Sequence, residues 1–345
     1  MVSFKDSSSV VVGGAGFVGS NLVELLASSG AAKVTVVDNL LSAEASNVPS
    51  HPCVEFIEGS ITDDGVLKRI EDRYDYIFHL ATFHGNQNSI HDPLADHENN
   101  TYTTLRLFEH IARFKNLKKV VYSSAGCSVA AKTFDSPEAT SEEAPINLIQ
   151  DSPYSISKVI GEFYSVYYHN RHKLPVVRAR FQNVFGPREI LGAGKWRGTY
   201  ATVWRNVTPT FIYKALHHEA LPVENGGVAT RDFIYVEDIC RGLMACAEKG
   251  DAGEVYNLAS GYEISILELA NLINKLTANP TPMDYKPKRD WDNSGRRYGD
   301  PAKASEKLGF KAEMPFEEGL RRTIEWTKQN MDYIESVIEK HKSYL

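Results

Sequence analysis

The stretch from Val10 to Gly19, V-V-V-G-G-A-G-F-V-G, constrains the fold of this chain more than any other. An apolar run meets a cluster of glycines, and an amphipathic segment follows at residues 20–28, which together predict a strand, a tight turn and a helix. Gly14, Gly16 and Gly19 fit the pattern G-x-G-x-x-G. Such glycines permit a sharp turn, a close approach of backbone to a pyrophosphate, and close packing of helix on strand. The stretch therefore predicts a dinucleotide site, with the pyrophosphate on free N–H groups at the start of the helix.

A second apolar run, residues 33–37, ends at Asp38, nineteen positions after Gly19. An acid at this place in a dinucleotide-binding unit hydrogen-bonds the hydroxyls of the adenine ribose. A carboxylate there also repels a 2′-phosphate, so the pattern predicts NAD rather than NADP. The alternative is that Asp38 and Asn39 only form a turn, for which both residues are suited.

The composition is that of a soluble globular chain, with 42% hydrophobic and 24% charged residues among 345. This length accommodates one large domain or two interlocked ones. The net charge of −6 argues against nucleic acid or an anionic membrane as the main partner. No apolar run is long enough to cross a membrane, and the first nine residues are too short and polar for a signal peptide, so we expect a cytoplasmic protein.

The cysteines and histidines form no familiar metal motif. The four cysteines include no C-x-x-C pair, and the histidines between positions 79 and 97 include no H-x-x-x-H pair. We therefore expect no metal site.

Strands and helices alternate through the first half of the chain. Apolar runs and helical periodicity predict strands at residues 54–57, 76–81, 119–122 and 175–181, with helices at 103–114 and 155–170. Repeated βαβ units give a parallel, doubly wound α/β sheet of the Rossmann type. Ligands bind such sheets beyond the carboxyl ends of the strands, so residues directly after each strand are the first candidates for a site.

The pattern changes after Gly186. Residues 192–206 are rich in glycine and aromatic residues and lack periodicity, which indicates a loop-rich substrate region. Residues 254–259 predict a further strand, by which the chain returns to the first domain, and residues 333–345 predict a charged terminal helix or tail. We therefore predict an NAD-binding domain over residues 1–183 with returning segments at about 229–259, and a smaller α/β substrate-binding region over 184–228 and 260–345.

Tyr154 and Lys158 lie one helical turn apart in Y-S-I-S-K. Residues four apart share a helix face, and an ammonium beside a phenol favours the phenolate and lowers its pKa from about 10. Such a phenol is a general base that works near neutral pH. Tyr154 is the only one of the 17 tyrosines with a lysine four positions on, although a solvated helix face is the alternative.

Ser123 and Ser124 end the apolar run in V-V-Y-S-S-A-G-C. A hydroxyl at the carboxyl end of a strand can hydrogen-bond a reacting oxygen. The alternative is that the pair only begins a loop, because serine is a common turn residue.

The order and spacing of eight motifs resemble the extended short-chain dehydrogenase/reductase family, in its NAD-dependent nucleotide-sugar epimerase/dehydratase branch. The resemblance covers roughly residues 8–328. The motifs are G-G-A-G-F-V-G (13–19), V-V-D-N-L (36–40), H-L-A (79–81), Y-S-S-A (122–125), Y-S-I-S-K (154–158), F-Q-N-V-F-G-P (181–187), N-V-T-P (206–209) and R-D-F-I-Y-V-E-D (231–238).

The resemblance implies a role for each matching residue. Ser124, Tyr154 and Lys158 would be catalytic, and Asn100 would support the lysine. The residues that would hold NAD are Gly13, Gly16, Phe17, Val18, Gly19, Asp38, Asn39, Ser60, Ile61, Leu80, Ala81, Thr82, Asn100, Tyr154 and Lys158. Those that would hold the nucleotide sugar are Ser124, Asn183, Asn206, Val207, Arg231 and Arg297. Arg296 is the alternative to Arg297 as a phosphate clamp, and a surface ion pair with Asp232 is the alternative for Arg231.

Departures from the family pattern bear on the reaction. Many members have Gly-Asp after the third strand, where this chain has Gly59-Ser60. The dehydratases carry Asp-Glu after the Ser or Thr of strand five, where this chain has Ala125 and Gly126. Without an acid there to deliver or remove a second proton, the elimination of water is disfavoured. Cys127 aligns one position beyond the cysteine of members that epimerise two carbons, so a small buried side chain is the plainer interpretation.

These observations predict an NAD-dependent nucleotide-sugar epimerase, an isomerase of polysaccharide biosynthesis. It would act at C4 of a UDP-hexose derivative, N-acetylated or a uronic acid, through a 4-keto intermediate. A 4,6-dehydratase, a C5 or C3,5 epimerase, and a catalytically silent NAD-binding regulator are the alternatives. Lys195 or Arg197 could meet the carboxylate of a uronic acid, and an irregular loop at residues 82–96 would cover nicotinamide and sugar. The resemblance also implies a homodimer that pairs the helix near Thr103 with the helix after Tyr154. The charge and the lack of a long apolar run predict neither nucleic acid nor membrane as a partner.

Overall fold

A computed structural model of the chain describes residues 4–130, 133–292 and 295–345. Residues 1–3, which belong to the short polar amino terminus considered above, lie outside the described ranges. The strands are β1 Ser8–Val12, β2 Lys33–Asp38, β3 Val54–Glu58, β4 Tyr76–His79, β5 Lys119–Ala125, β6 Val176–Phe181, β7 Asn183–Phe185, β8 Pro222–Glu224, β9 Thr230–Arg231, β10 Phe233–Tyr235, β11 Val255–Leu258, β12 Ile264–Ser265 and β13 Asp284–Lys286. The helices are α1 Phe17–Ser28, α2 Asp64–Leu67, α3 Asn86–His91, α4 Pro93–Asp96, α5 Thr103–Ile111, α6 Pro153–His172, α7 Val207–Leu216, α8 Val236–Lys249, α9 Ile266–Thr277, α10 Ala302–Leu308, α11 Phe316–Gln329 and α12 Met331–Glu339.

The central sheet has the order β11-β6-β5-β4-β1-β2-β3, and every neighbouring pair is parallel. The predicted doubly wound α/β fold is confirmed. β11 lies at the edge beside β6, as expected of a chain that returns to its first domain. The order reverses between β1 and β4, and ligands of such sheets bind at this point, beyond the carboxyl ends of the strands.

Helices cover both faces of this sheet because its strands are apolar on both sides. In β1, Val11 packs into the core beneath α1 and α8, whereas Val10 and Val12 pack into the core beneath α5 and α6. These valines are at most 2% exposed. Both cores therefore converge on β1 and fix the position of the glycine turn that follows it.

A second, smaller core lies beyond the sheet. Three strand pairs, β7 with β10, β8 with β13 and β9 with β12, join helices α7, α9 and α11 there. Phe185, Phe211, Phe233, Leu269 and Leu320 are buried among them. The domain boundaries stay a prediction.

Two segments differ from the sequence-based expectation. Residues 82–96 are not an irregular loop, since they contain α3 and α4, and Asp92 caps α4 by accepting a hydrogen bond from the Ala95 N–H at 2.9 Å. β5 runs on to Ala125, so Ser123 and Ser124 lie within the strand. The carboxy-terminal segment takes the helical one of its two predicted forms, and Val337 of α12 packs with Ile190 and Ala193. No helix within the described ranges is long and apolar enough to span a bilayer.

Candidate active site

A cavity of about 770 Å³ lies at the carboxyl ends of the sheet strands. It is lined by every residue predicted to bind cofactor or substrate except Asn100. The structure thus brings together motifs that are separated by more than two hundred positions, such as Gly13 and Arg297. Within the described residues, no three His, Cys, Asp or Glu side chains converge into a candidate metal site.

The glycine turn leaves room for a ligand only because its residues lack side chains. Gly13 has φ +85°, and a Cβ on it would lie 2.5 Å from the Ala81 nitrogen. A Cβ on Gly19 would lie 2.1 Å from the Gly13 oxygen, so this glycine lets α1 pack against the turn. Gly16 precedes the first residue of α1, and no described side chain caps the N–H groups there. These groups and the helix dipole fit a diphosphate.

Asp38 joins the end of β2 to the glycine turn. Its carboxylate accepts hydrogen bonds from the Ala15 N–H at 3.0 Å and from the Leu40 N–H at 2.9 Å. Burial raises the pKa of Asp38, and these backbone donors oppose that shift. Asp38 therefore forms the turn that the alternative interpretation foresaw, and it also lines the cavity beside Asn39. An acid and a glycine cradle in this arrangement fit NAD.

Tyr154 and Lys158 lie on the first turns of α6, which Ser152 caps by accepting a hydrogen bond from the Ser155 N–H at 3.3 Å. The Lys158 ammonium lies 5.8 Å from the centroid of the Tyr154 ring and donates to the Ser123 carbonyl at 3.1 Å. Burial lowers the pKa of Lys158 to about 8. The predicted fall in the pKa of Tyr154 is wrong, because burial raises the pKa of that phenol, and nearby Cys127 and Asp96 add to the rise.

The third predicted catalytic residue, Ser124, is tied to a residue that the sequence analysis missed. Its hydroxyl donates to the Glu162 carboxylate at 2.5 Å, and Arg180 of β6 donates to the same carboxylate at 2.8 and 2.9 Å. The side chain of Glu162 is 2% exposed and that of Arg180 is 4% exposed. Glu162 follows Lys158 by four positions, as Lys158 follows Tyr154, so the helical periodicity of one face is the signal that could have found it.

Asn100 does not line the cavity but holds its wall. Its side-chain oxygen accepts hydrogen bonds from the Phe83 N–H at 2.6 Å and the Thr82 hydroxyl at 3.1 Å. Its amide group donates to Asp96 at 2.7 Å and to Ser157 at 3.2 Å. Asn100 therefore connects the segment after β4 with α6. Its predicted support of Lys158 stays a prediction.

The arginines expected at the substrate end take different places. Arg231 and Arg297 line the cavity, whereas Arg296 forms an ion pair with Glu263. Burial lowers the pKa of Arg231 to about 9, with a contribution from the charge of Arg297. Asp232 accepts hydrogen bonds from the N–H groups of Ser260, Gly261 and Gly299, so its carboxylate stabilises the loops that contain these residues. The guanidinium of Arg231 donates to the carbonyls of Thr230 and Gly295 at 2.6 and 3.0 Å.

The model of the NAD dependent epimerase/dehydratase family matches residues 9–259. The chain belongs to this family. The predicted family and the predicted cofactor, NAD, are confirmed.

Relatives within the family include both reaction types. The enzyme WbmF of Bordetella bronchiseptica, crystallised with NAD+ and UDP, is 61% identical with a TM-score of 0.90 over 99% of this chain and 98% of that chain. The UDP-glucose 4-epimerase of Mycolicibacterium smegmatis is 31% identical over 92% of this chain and 97% of its own length. The dTDP-glucose 4,6-dehydratase of an Actinoplanes species is 29% identical over 94% of this chain and 98% of its own length. The chain therefore belongs to a family of enzymes that includes both epimerases and dehydratases.

Against the family pattern, the end of β5 carries no acid. A Cβ on Gly126 would lie 2.3 Å from the Gln182 amide nitrogen, so Gln182 fills the space that a side chain at position 126 would need. Cys127 follows in a short helical turn, is partly exposed and lines the cavity. Among the residues considered for sugar selection, Lys195 is exposed and lies outside the cavity lining.

Proposed function

We propose that the protein is an NAD-dependent nucleotide-sugar epimerase that inverts C4 of a UDP-hexose derivative through a 4-keto intermediate. The observation that carries this proposal is the end of β5, where Ser124 is followed by Ala125 and Gly126. Elimination of water needs an acid beside the departing hydroxyl as well as a base. The family's dehydratases have Asp-Glu at these two positions. In this chain the Gln182 side chain occupies the space that a side chain at position 126 would need.

The roles of the catalytic residues follow from their places in the cavity. Tyr154 accepts the proton of the 4-hydroxyl, and the adjacent Lys158 ammonium stabilises the phenolate that this base requires. Ser124 holds the reacting oxygen. NAD, when bound, accepts the hydride from C4 and returns it, so the reaction leaves no net oxidation. Because burial raises the pKa of Tyr154, its deprotonation depends on Lys158 and on the positive charge of the oxidised nicotinamide.

The second half of the reaction requires the sugar to present its other face. Arg231 and Arg297 hold the nucleotide diphosphate through their planar donor forks, while the hexose rotates about its phosphate linkage. UDP as the nucleotide is supported by WbmF, which binds UDP, and by the UDP-glucose 4-epimerase relative. Asn206 and Val207 at the start of α7 line the same cavity.

A second candidate, epimerisation at a carbon beside the ketone, is favoured by one observation. Cys127 is partly exposed and lines the same cavity as Tyr154. A thiolate there could remove a proton from C3 or C5 of a keto sugar and return it to the other face. Exchange of that carbon-bound proton with solvent separates this candidate from C4 epimerisation.

The proposal is tested with the variant Tyr154→Phe on a panel of UDP-sugars, with C4 epimers identified by NMR. We expect turnover to fall by about 10²–10⁴-fold while NAD remains bound, because only the proton acceptor is lost. Tyr76→Phe is the matched control, since Tyr76 begins β4 at the opposite end of the strand from the cavity, and it should retain wild-type turnover. Turnover of Tyr154→Phe within a few-fold of wild type would refute the assignment.

A further inference from the structure

Two arginines beside the cavity, Arg197 buried and Arg205 half-buried, have no part in the proposed reaction. Arg197 is 5% exposed, and its guanidinium donates to the Ser42 hydroxyl at 2.8 Å and to the His84 carbonyl at 3.2 Å. Arg205 donates to the Ser42 carbonyl at 3.0 Å and to the Ala193 carbonyl at 2.6 Å. Arg205, Ser42 and His84 all line the cavity. The two cations are thus joined through one serine at the wall of the active site.

The charges of this pair are incompletely compensated. Nε and one terminal nitrogen of Arg197, and Nε of Arg205, are buried without a hydrogen-bond partner among the described residues. The carboxylate of Glu189 is bound by Asn206, and burial raises its pKa to about 7, so it is only partly ionised at neutral pH. Glu44 already pairs with Lys340 at 2.6 Å. Burial lowers the pKa of Arg197 to about 9, and the charge of Arg205 contributes to that shift. Glu189 and Glu44 compensate the charge of Arg205 only in part, and an incompletely paired cation away from water is costly, so the arrangement favours an anion.

The strand order indicates where the two arginines lie relative to the glycine turn. Ser42 follows β2 and His84 follows β4, and β1 lies between these two strands in the sheet. A group bound to both Ser42 and His84 therefore spans the carboxyl end of β1. That is the place of the glycine turn and of the uncapped start of α1, which line the same cavity. Arg205 thus lines the same cavity as the glycine turn, and Arg197 lies behind the cavity wall, bonded to Ser42 and His84.

The segment that carries the arginines is fixed from outside by the carboxy terminus. Val337 packs on Ile190 and Ala193, and the His341 ring hydrogen-bonds the Gly192 carbonyl at 2.8 Å. Trp196 stacks on Tyr344 with the ring centroids 4.6 Å apart. On the inner side, the Lys195 N–H donates to the Leu41 carbonyl at 3.0 Å. The arginines are therefore held by packing, and binding an anion needs little further ordering.

We propose that Arg205, supported by Arg197, forms a second wall of the cofactor site and binds the diphosphate of NAD opposite the glycine turn. The Arg205 guanidinium lines the cavity, and charge-assisted hydrogen bonds to phosphate are the interaction for which its planar fork is suited. This assignment moves residue 197 from the sugar to the cofactor. It depends on NAD as the cofactor and is independent of which carbon the enzyme epimerises.

The test is displacement of fluorescent NADH from the full-length protein by three competitors: NAD, ADP-ribose and adenosine. In Arg205→Met and in Arg197→Met we expect the affinities for NAD and ADP-ribose to fall by about 10- to 100-fold, the effect of losing a charge-assisted hydrogen bond. The affinity for adenosine, which lacks the diphosphate, should not change. Arg321→Met on the exposed face of α11 removes a surface cation and should leave all three affinities as in wild type.

Three results would overturn the proposal. NAD affinity equal to wild type in both variants would exclude a diphosphate contact. An equal loss for adenosine and ADP-ribose would indicate a structural role only. Wild-type NAD affinity combined with a raised KM for UDP-uronic acids alone would assign the pair to a sugar carboxylate. If the Met variants do not fold, Arg205→Lys decides: it retains the charge and loses the fork, so ADP-ribose should bind more weakly than to wild type while adenosine does not.

Discussion

The network beneath Ser124 gives the sharpest prediction for stability. The Glu162 carboxylate accepts hydrogen bonds from Ser124 and Arg180, and Arg178 lies 3.6 Å away. Replacing it in Glu162→Ala leaves the Arg180 guanidinium buried without its counter-ion. Removing one partner of a buried ion pair costs about 3–5 kcal/mol, and at about 2.1 cal/mol/K of unfolding entropy per residue this corresponds to a fall in Tm of about 4–7 °C for a chain of this length.

The assay is urea unfolding of wild type, Glu162→Ala and Glu162→Gln, monitored by circular dichroism at several pH values. The pKa of Glu162 is lowered in the folded protein, with Arg180 and Ser124 opposing the effect of burial. The unfolded state therefore takes up protons first as the pH falls. The stability advantage of wild type over Glu162→Gln should be fully present above the ordinary glutamate pKa of 4.5 and decline as the pH falls below it.

The control and the refuting result are defined by exposure. Glu71 pairs with Arg73 on the surface, where both side chains are more than half exposed, and Glu71→Gln should change stability by less than about 0.5 kcal/mol. A loss below about 1 kcal/mol in Glu162→Ala would mean that the network is not the buried ion pair argued here.

Three further predictions concern the cofactor site, the base and the assembly. Because burial lowers the pKa of Lys158 to about 8, kcat/KM should fall as the pH rises through about 8 and the ammonium loses its proton, and an unchanged rate across the alkaline range would contradict this. Asp38→Ala should lower the ratio of NAD to NADP affinity by about tenfold or more, measured by NADPH and NADH fluorescence, since the carboxylate no longer repels a 2′-phosphate; an unchanged ratio would show that Asp38 only forms the turn. Phe163 and Tyr167 are 58% and 54% exposed on α6, so Phe163→Glu should shift the expected homodimer to monomer in sedimentation, and an unaltered mass would exclude this face from the interface.

Much of the fold and the site could be predicted because their determinants are local. Glycines at fixed spacing, apolar runs of strand length and an acid at the end of β2 each carry their meaning within a few residues. Helical spacing was enough to place Tyr154 and Lys158 on one face. The residues that line the cavity follow from these elements, because parallel strands bring their carboxyl ends to one edge of the sheet.

The remainder depends on contacts between distant segments. In the sequence, Glu162 is an ordinary helix residue. Its role depends on the ion pair with Arg180 of β6, which forms only in the folded chain. The path of the segment with Arg197 and Arg205 is set by the carboxy-terminal helix, more than a hundred positions away, which has no periodic relation to it. The direction of the pKa shift of Tyr154 depends on how deeply the phenol is buried, and sequence spacing does not report burial.

The most direct test of C4 epimerisation is the fate of hydrogen when the enzyme acts on UDP-sugars in deuterium oxide, followed by mass spectrometry and NMR of the nucleotide sugar. Hydride transfer at C4 never exposes that hydrogen to solvent. The account predicts a C4 epimer of unchanged mass with no deuterium on carbon. A product that has lost water would contradict the account and indicate a dehydratase. An epimer with deuterium on carbon would also contradict the account and would indicate proton exchange beside the ketone, with Cys127 as the first residue to replace.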